Sequence, residues 1–419
     1  MSGRARRVIL WLASVLLGLA LGSCQRATPG RAAAVAAGDA PMQIDRLSVL
    51  RAADEAGFEA ANTPRRFEFP QDHGPHPRFR HEWWYFTGQV RGAGETFGFE
   101  LTIFRLALRP PLAVAAAAGS APQSAWRAGQ VYAAHFAITD VSRRTFFNAT
   151  RYARDALNLA GAQAQPFAIH VADWSVTQVP GTPALLAPWP LHWQLQAADG
   201  DYQLQLDLRG AQPPVLNGDA GLSRKDDAPG AASYYYSMPR LQAAGTVIRQ
   251  GLSVPVSGMA WLDREWGSGS LGVEQRGWDW FALDLDDGSS LMFYALRDRD
   301  GRRDAHSAGT YVDAAGSATA LRNEDVEITV QRYWSSPRGG RYPAQWALRV
   351  RSQQLQLNVT PLLADQELST QPRYWEGAVQ VTGQRRGTPI SARGYVELVG
   401  YAQNQASPSV PSASTPPTH

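Results

Sequence analysis

One cysteine, Cys24, and one lysine, Lys225, occur in 419 residues. A single cysteine excludes an intramolecular disulfide, even in a compartment that would permit one. A single lysine leaves any Schiff-base chemistry to Lys225. The surrounding SRKDDAPG reads as a polar loop, without the apolar neighbours that lower a lysine pKa. Excess charge is also missing. The chain has 40 basic and 37 acidic residues; residues 1–23 hold three Arg and no acid, so removing them leaves 37 of each sign. With no basic run beyond that point, composition excludes a nucleic-acid binder. No G-x-S-x-G, phosphate-binding loop or dinucleotide fingerprint is present. HEWWY begins like the zinc motif H-E-x-x-H, but Tyr85 stands where the second His is required. Asp72, His73, His76 and His81 are the one His/carboxylate group near ligand spacing; a polar loop before the first strand explains them better. No metal and no cofactor are expected.

The N-terminus is distinctive. Arg4, Arg6 and Arg7 precede an apolar run from Val8 to Leu21, too short and too early for a spanning helix and suited to a secretory signal. It closes on Leu21-Gly22-Ser23-Cys24, which resembles a bacterial lipobox. That resemblance implies cleavage before Cys24, lipidation of its sulfur and anchoring at the periplasmic face of the envelope. Gln25, which is not Asp, favours the outer membrane. Residues 24–62 then read as a lipidated tether, and the Pro/Ser-rich residues 404–419 as a disordered tail.

Between about Thr63 and Gln403 the sequence is strand-like. FGFELTIFR sets Phe99, Leu101, Ile103 and Arg105 against Glu100, Thr102 and Phe104. QVYAAHFAITD, YQLQLDLRG and WALRVRSQQLQLNV repeat the period of two, with turn signals such as Asp199-Gly200 and Asp287-Gly288 between strands. Residues 109–129 read as a low-complexity insertion. Many short antiparallel strands predict an all-β sandwich or barrel, and a closed barrel can hold a ligand.

Aromatic residues recur beside acids. In HEWWYFT, Glu82, Trp84 and Phe86 share one face and His81, Trp83 and Tyr85 the other. In MAWLDREWGSG, Trp261, Asp263 and Glu265 share a face, opposite Leu262, Arg264 and Trp266. Trp278 and Trp280 precede a hairpin whose return strand carries Phe293 and Tyr294. Acids paired with arginines inside packed barrels would account for this. A functional account is also available. A carboxyl group among aromatic rings has a raised pKa, can protonate a carbon–carbon double bond, and the resulting cation is stabilised by ring faces.

FPQDHGPHPRFRHEWWYFTGQV, FGFELTIFR, SYYYSMPRL, MAWLDREWGSG, GWDWFALDLDDGSSLMFYALR and YWEGAVQVTG with ARGYVELVGY resemble, in order, the carotenoid 1,2-hydratase family and most closely its AttH-like branch. The resemblance implies two tandem lipocalin-like antiparallel β-barrels, expected at residues 63–257 and 258–403, with a ligand cavity inside or between them. It also implies an association with ABC-transporter components. The hydratases carry His-Asn-Trp where Arg264, Glu265 and Trp266 stand here, so only Trp266 is kept; Tyr294 matches a hydratase Tyr, and the Asp that accompanies it in the hydratases has no counterpart within Phe293 to Leu296. Asp263 and Glu265 are therefore the expected substitute acids. Glu82, Trp83, Trp84, Tyr85, Trp266, Trp280 and Tyr294 are the expected ligand-binding residues. Three functions remain open: an envelope protein that holds or delivers an apolar isoprenoid, polyene or lipid; a hydratase acting on an apolar alkene; and an envelope scaffold with an aromatic core.

Overall fold

A computed structural model describes residues 56–111, 128–181, 191–269, 271–272, 274–370 and 373–402. The signal segment, Cys24, most of the tether and residues 404–419 lie outside the described residues.

The period of two becomes two antiparallel sheets, one of 13 strands and one of 10 among the described residues. Each is curled into a barrel-like domain, and the chain is all-β. In the first sheet the strand His81–Gly92 lies centrally, between Glu95–Ala107 and Leu252–Gly267. The sheet curls until Thr145–Arg154 meets its far side, where Phe147 packs on Tyr202 (5.2 Å between ring centres) and Arg151 lies 4.4 Å over Trp174. The second sheet runs from Ala318–Leu321 at one edge to Val326–Ser335 at the other. Ala107 pairs with Gln130, so the low-complexity insertion joins two neighbouring strands.

The expected boundary at residues 257/258 is corrected. Leu252–Gly267 is one continuous strand, paired with His81–Gly92 on one side and Ala232–Arg249 on the other. It belongs wholly to the first sheet, and the second begins at Gly277. No structural break falls near 257, because pairing with His81–Gly92 carries the strand from Ser257 on to Gly267.

Alternation sorts apolar side chains into three layers. Trp84, Phe86, Leu101, Leu262 and Trp266 belong to the first barrel's core. Phe281, Leu283, Phe293, Trp346 and Val396 belong to the second's. Tyr85, Trp261, Trp280, Tyr294 and Tyr395, on opposite faces of the same central strands, form a layer between the barrels. Strands that bury both faces need apolar residues at every position, which explains the unbroken Trp-Trp-Tyr-Phe run of 83–86. Close approach is enforced by small residues: a Cβ on Gly98 would come within 2.5 Å of Ala378 Cβ. Polar groups pin the junction. Gln89 Nε2 donates to Val379 O at 2.8 Å, and Thr139 Oγ1 to Gln366 Oε1 at 2.7 Å.

Candidate functional site

Each barrel interior holds a packed apolar cluster, and a cavity lies in the layer between the barrels. It is lined by Trp83, Tyr85, Lys225, Tyr235, Asp263 and Glu265 from the first barrel and by Trp278, Trp280, Tyr294, Leu296 and Glu397 from the second. Its interior volume is about 70 Å³. It is a narrow, largely apolar slot.

Asp263 sits in its wall. Tyr85 is its cross-strand partner on one side and Ser237 on the other. Ser237 Oγ and Trp261 Nε1 donate to Asp263 Oδ1 at 2.6 and 2.7 Å. The Tyr235 hydroxyl donates to Oδ2, and Trp280 Nε1 donates to that hydroxyl at 3.1 Å. Burial pushes the Asp263 carboxyl up to about 7, since desolvation outweighs the three donors that favour the anion, and Glu265 adds to the rise. Burial also holds the Tyr235 phenol well above its usual range, reinforced by Asp263 and Glu265. The pair therefore holds a proton beside an apolar slot near neutral pH.

Two residues along the same strand, Glu265 accepts from Ser233 Oγ and lies 3.4 Å from Lys225 Nζ. Lys225 is a correction to the sequence reading. Its backbone N–H donates to Ala231 O at 2.9 Å, and Leu222–Arg224 pairs with the strand beginning at Ala232. This fold-back carries the polar segment over the cavity and leaves Lys225 only 6% exposed. Its ammonium sits 3.7 Å over the Tyr294 ring. Burial opposes the charge, but Glu265 and Tyr294 outweigh it and raise the pKa, which keeps the amine protonated and non-nucleophilic.

The structure thus gathers Trp83, Tyr85, Asp263, Glu265, Trp280 and Tyr294 around one cavity. It does not bring Glu82, Trp84 or Trp266 there. These three point into the first barrel, where Glu82 is paired with both Arg105 and Arg264, Arg264 lies 3.8 Å over Trp84, and the His76 ring stacks on Trp266 at 3.8 Å. Asp72 and His76 join that network at 3.1 Å, whereas His81 stacks on Trp83 across the strand, so the four residues at ligand spacing do not converge. Sequence reasoning missed Tyr235, Lys225, Trp278 and Glu397. The signals were available for two of them: Tyr235 is the middle residue of a Tyr-Tyr-Tyr run, facing away from Tyr234 and Tyr236, and Lys225 is unique.

Fold and cavity together define a tandem-barrel protein with an acid-bearing slot between its barrels. The model of the AttH-like family matches residues 60–401, and the chain belongs to that family. A protein of Nitrosomonas europaea assigned to AttH is 32% identical; the match covers 82% of this chain and all of that one, with a TM-score of 0.69. Kievitone hydratase of Nectria haematococca superposes with a TM-score of 0.59 over 82% of this chain and 96% of its own, at 14% identity, a likeness of fold. The dehydratase asqC of Emericella nidulans is 23% identical over 217 residues, 49% of this chain. The chain spans only 60% of the length of that curated relative.

Proposed function

We propose that this protein binds an apolar, unsaturated small molecule between its barrels and adds water to, or removes it from, one of the molecule's carbon–carbon bonds. The observation that carries this reading is Asp263: a buried carboxyl, protonated near neutral pH, in the wall of an aromatic slot. In the hydration direction the Asp263–Tyr235 pair gives its proton to one alkene carbon. The cation on the neighbouring carbon lies among the faces of Trp280 and Tyr85, where ring quadrupoles stabilise it. Water adds to that carbon, and its surplus proton returns to Asp263. Run backwards, the same steps lose water from an alcohol. The names of the relatives, a hydratase and a dehydratase, support water chemistry of this kind. Glu265, tied to Lys225 and Ser233, is the weaker choice of acid.

A second reading, binding without turnover, is favoured by one observation: Tyr235, Ser237 and Trp261 occupy both oxygens of Asp263. Under either reading we propose that the protein works on the periplasmic face of the envelope, anchored through lipidated Cys24, and serves an ABC transporter by holding its cargo. Native mass spectrometry of protein purified from its own envelope, with solvent extraction, identifies the bound compound. Incubating that compound with the protein in D2O then separates the readings. Deuterium on carbon, or gain or loss of one water, marks an enzyme; a compound recovered unchanged marks a binding protein.

A further inference from the structure

The cavity has a second polar end that the water chemistry does not use. Lys225 Nζ lies 3.0 Å from Ser223 Oγ, and Ser223 Oγ lies 2.8 Å from the Tyr294 hydroxyl. An ammonium carries three donors and each hydroxyl one. The ammonium is met by Ser223 Oγ, by Glu265 Oε1 at 3.4 Å, which Ser233 also engages, and by the Tyr294 ring. The Ser223–Tyr294 contact uses only one of the two hydroxyl hydrogens and leaves the other for a further acceptor, where little water reaches it: Lys225 is 6% and Ser223 1% exposed. A buried ammonium is costly unless it is well solvated by the protein, and a slot for a pure hydrocarbon gains nothing from one. A cation is also a poor neighbour for a carbocation, so reaction at this end would be opposed by charge.

We infer that Lys225, Ser223 and Tyr294 form a receptor for an oxygen atom of the ligand, a carbonyl or phenolic oxygen, and that the ligand is an oxygenated isoprenoid or polyene rather than a hydrocarbon. The inference rests on the reading of the inter-barrel slot as the binding site. Geometry sets the spacing. Glu265 marks the level of the oxygen receptor and Asp263 that of the acid. Residues two apart on a strand are separated by roughly 7 Å. The reacting carbons thus lie a few bonds from the oxygen, which fixes the ligand's direction in the slot and the double bond that meets Asp263.

The test uses a matched pair of probes, geranylacetone and 2,6-dimethylundeca-2,6-diene, which differ by the ketone oxygen. Binding is read by quenching of tryptophan fluorescence with the whole mature protein. The expected result is that wild type binds the ketone about 10-fold more tightly than the hydrocarbon, as for a hydrogen bond to a charged donor. The preference disappears in Lys225→Met/Glu265→Gln, a pair chosen so that neither charge is left unpartnered, and it shrinks in Tyr294→Phe, which keeps the ring. Thermal melts of each variant establish that it is folded. Equal binding of the two probes by wild type overturns the oxygen receptor and leaves the slot standing. Binding of neither probe overturns the slot and the inference with it. A ketone preference that survives in both variants also overturns it, by placing the oxygen elsewhere.

Discussion

The phenol of Tyr235 donates its hydrogen to Asp263 and accepts one from Trp280 at 3.1 Å, so the proton-holding pair of the first barrel is oriented by the second. Neither barrel alone makes the full chain from Trp280 through Tyr235 to Asp263. Asp263 and Tyr235 come from neighbouring strands of the first sheet, while the indole that orients the phenol comes from the second. Any movement of one barrel against the other changes the hydrogen bond on which the proposed chemistry rests.

Replacing Asp263 with Asn keeps the size of the side chain and removes the proton. Conversion of the extracted compound should fall about 10²- to 10⁴-fold, the usual contribution of a positioned acid. Tyr235→Phe should retain more activity, because Asp263 remains. Single-turnover assays with equal ligand occupancy check this; full activity in the Asp263→Asn protein would remove Asp263 from the mechanism.

The raised carboxyl of Asp263 also sets a pH dependence of stability. The folded value, about 7, lies above the ordinary value of 3.8. The folded state therefore binds the proton more strongly than the unfolded chain. The contribution is fully present below about pH 4 and is lost as pH rises through about 7, on the order of a few kcal/mol in total. The amide of the Asp263→Asn variant cannot titrate. Urea melts between about pH 4 and 8 should show wild type losing stability relative to Asp263→Asn as pH rises, with the difference constant above about pH 8. A difference that does not vary with pH would mean that the carboxyl is ionised throughout. Turnover by wild type should fall over the same upper range.

Membrane attachment is tested through Cys24. If its sulfur carries the lipid, Cys24→Ala removes both the cleavage signal and the anchor, since each buried CH₂ of an acyl chain contributes roughly 0.8 kcal/mol. In carbonate-washed envelope fractions wild type should stay with the membrane, and a protein carrying a cleavable signal in place of residues 1–24 should be soluble. Continued attachment of that protein would point to a different anchor.

Local sequence revealed the strands and their turns, because alternation and Asp-Gly pairs report on a few neighbouring residues. Asp199 pairs with Tyr202 across the hairpin signalled by Asp199-Gly200, for example. The two-sided aromatic character of residues 81–86 was legible too. Which side meets the cavity was not, because that depends on where the second barrel docks. Glu82 and Tyr85 are both buried beside aromatics, but only Tyr85 faces the other barrel. Lys225 was hidden for a different reason. Its neighbours in sequence are polar, and its aromatic surroundings arrive from elsewhere, Tyr235 from the next strand and Tyr294 from the second barrel. The domain boundary failed likewise, since the pairing of Tyr85 with Asp263 is invisible to any local window.

Glu82 offers a test that separates architecture from function. It is fully buried, and Arg105 and Arg264 both bind it. Burial acts to raise its carboxyl, but the two guanidiniums and His76 hold it well below the usual range. Its stabilising contribution is therefore present above the unfolded-state value and is lost as pH falls. Glu82→Gln removes the anion and leaves two buried guanidiniums without their partner. The expected cost is about 3–5 kcal/mol in urea denaturation at neutral pH. Because Glu82 points into the first barrel, the fraction that remains folded should bind geranylacetone with wild-type affinity. A stable variant with weakened binding would reverse the assignment and put Glu82 in the ligand site after all.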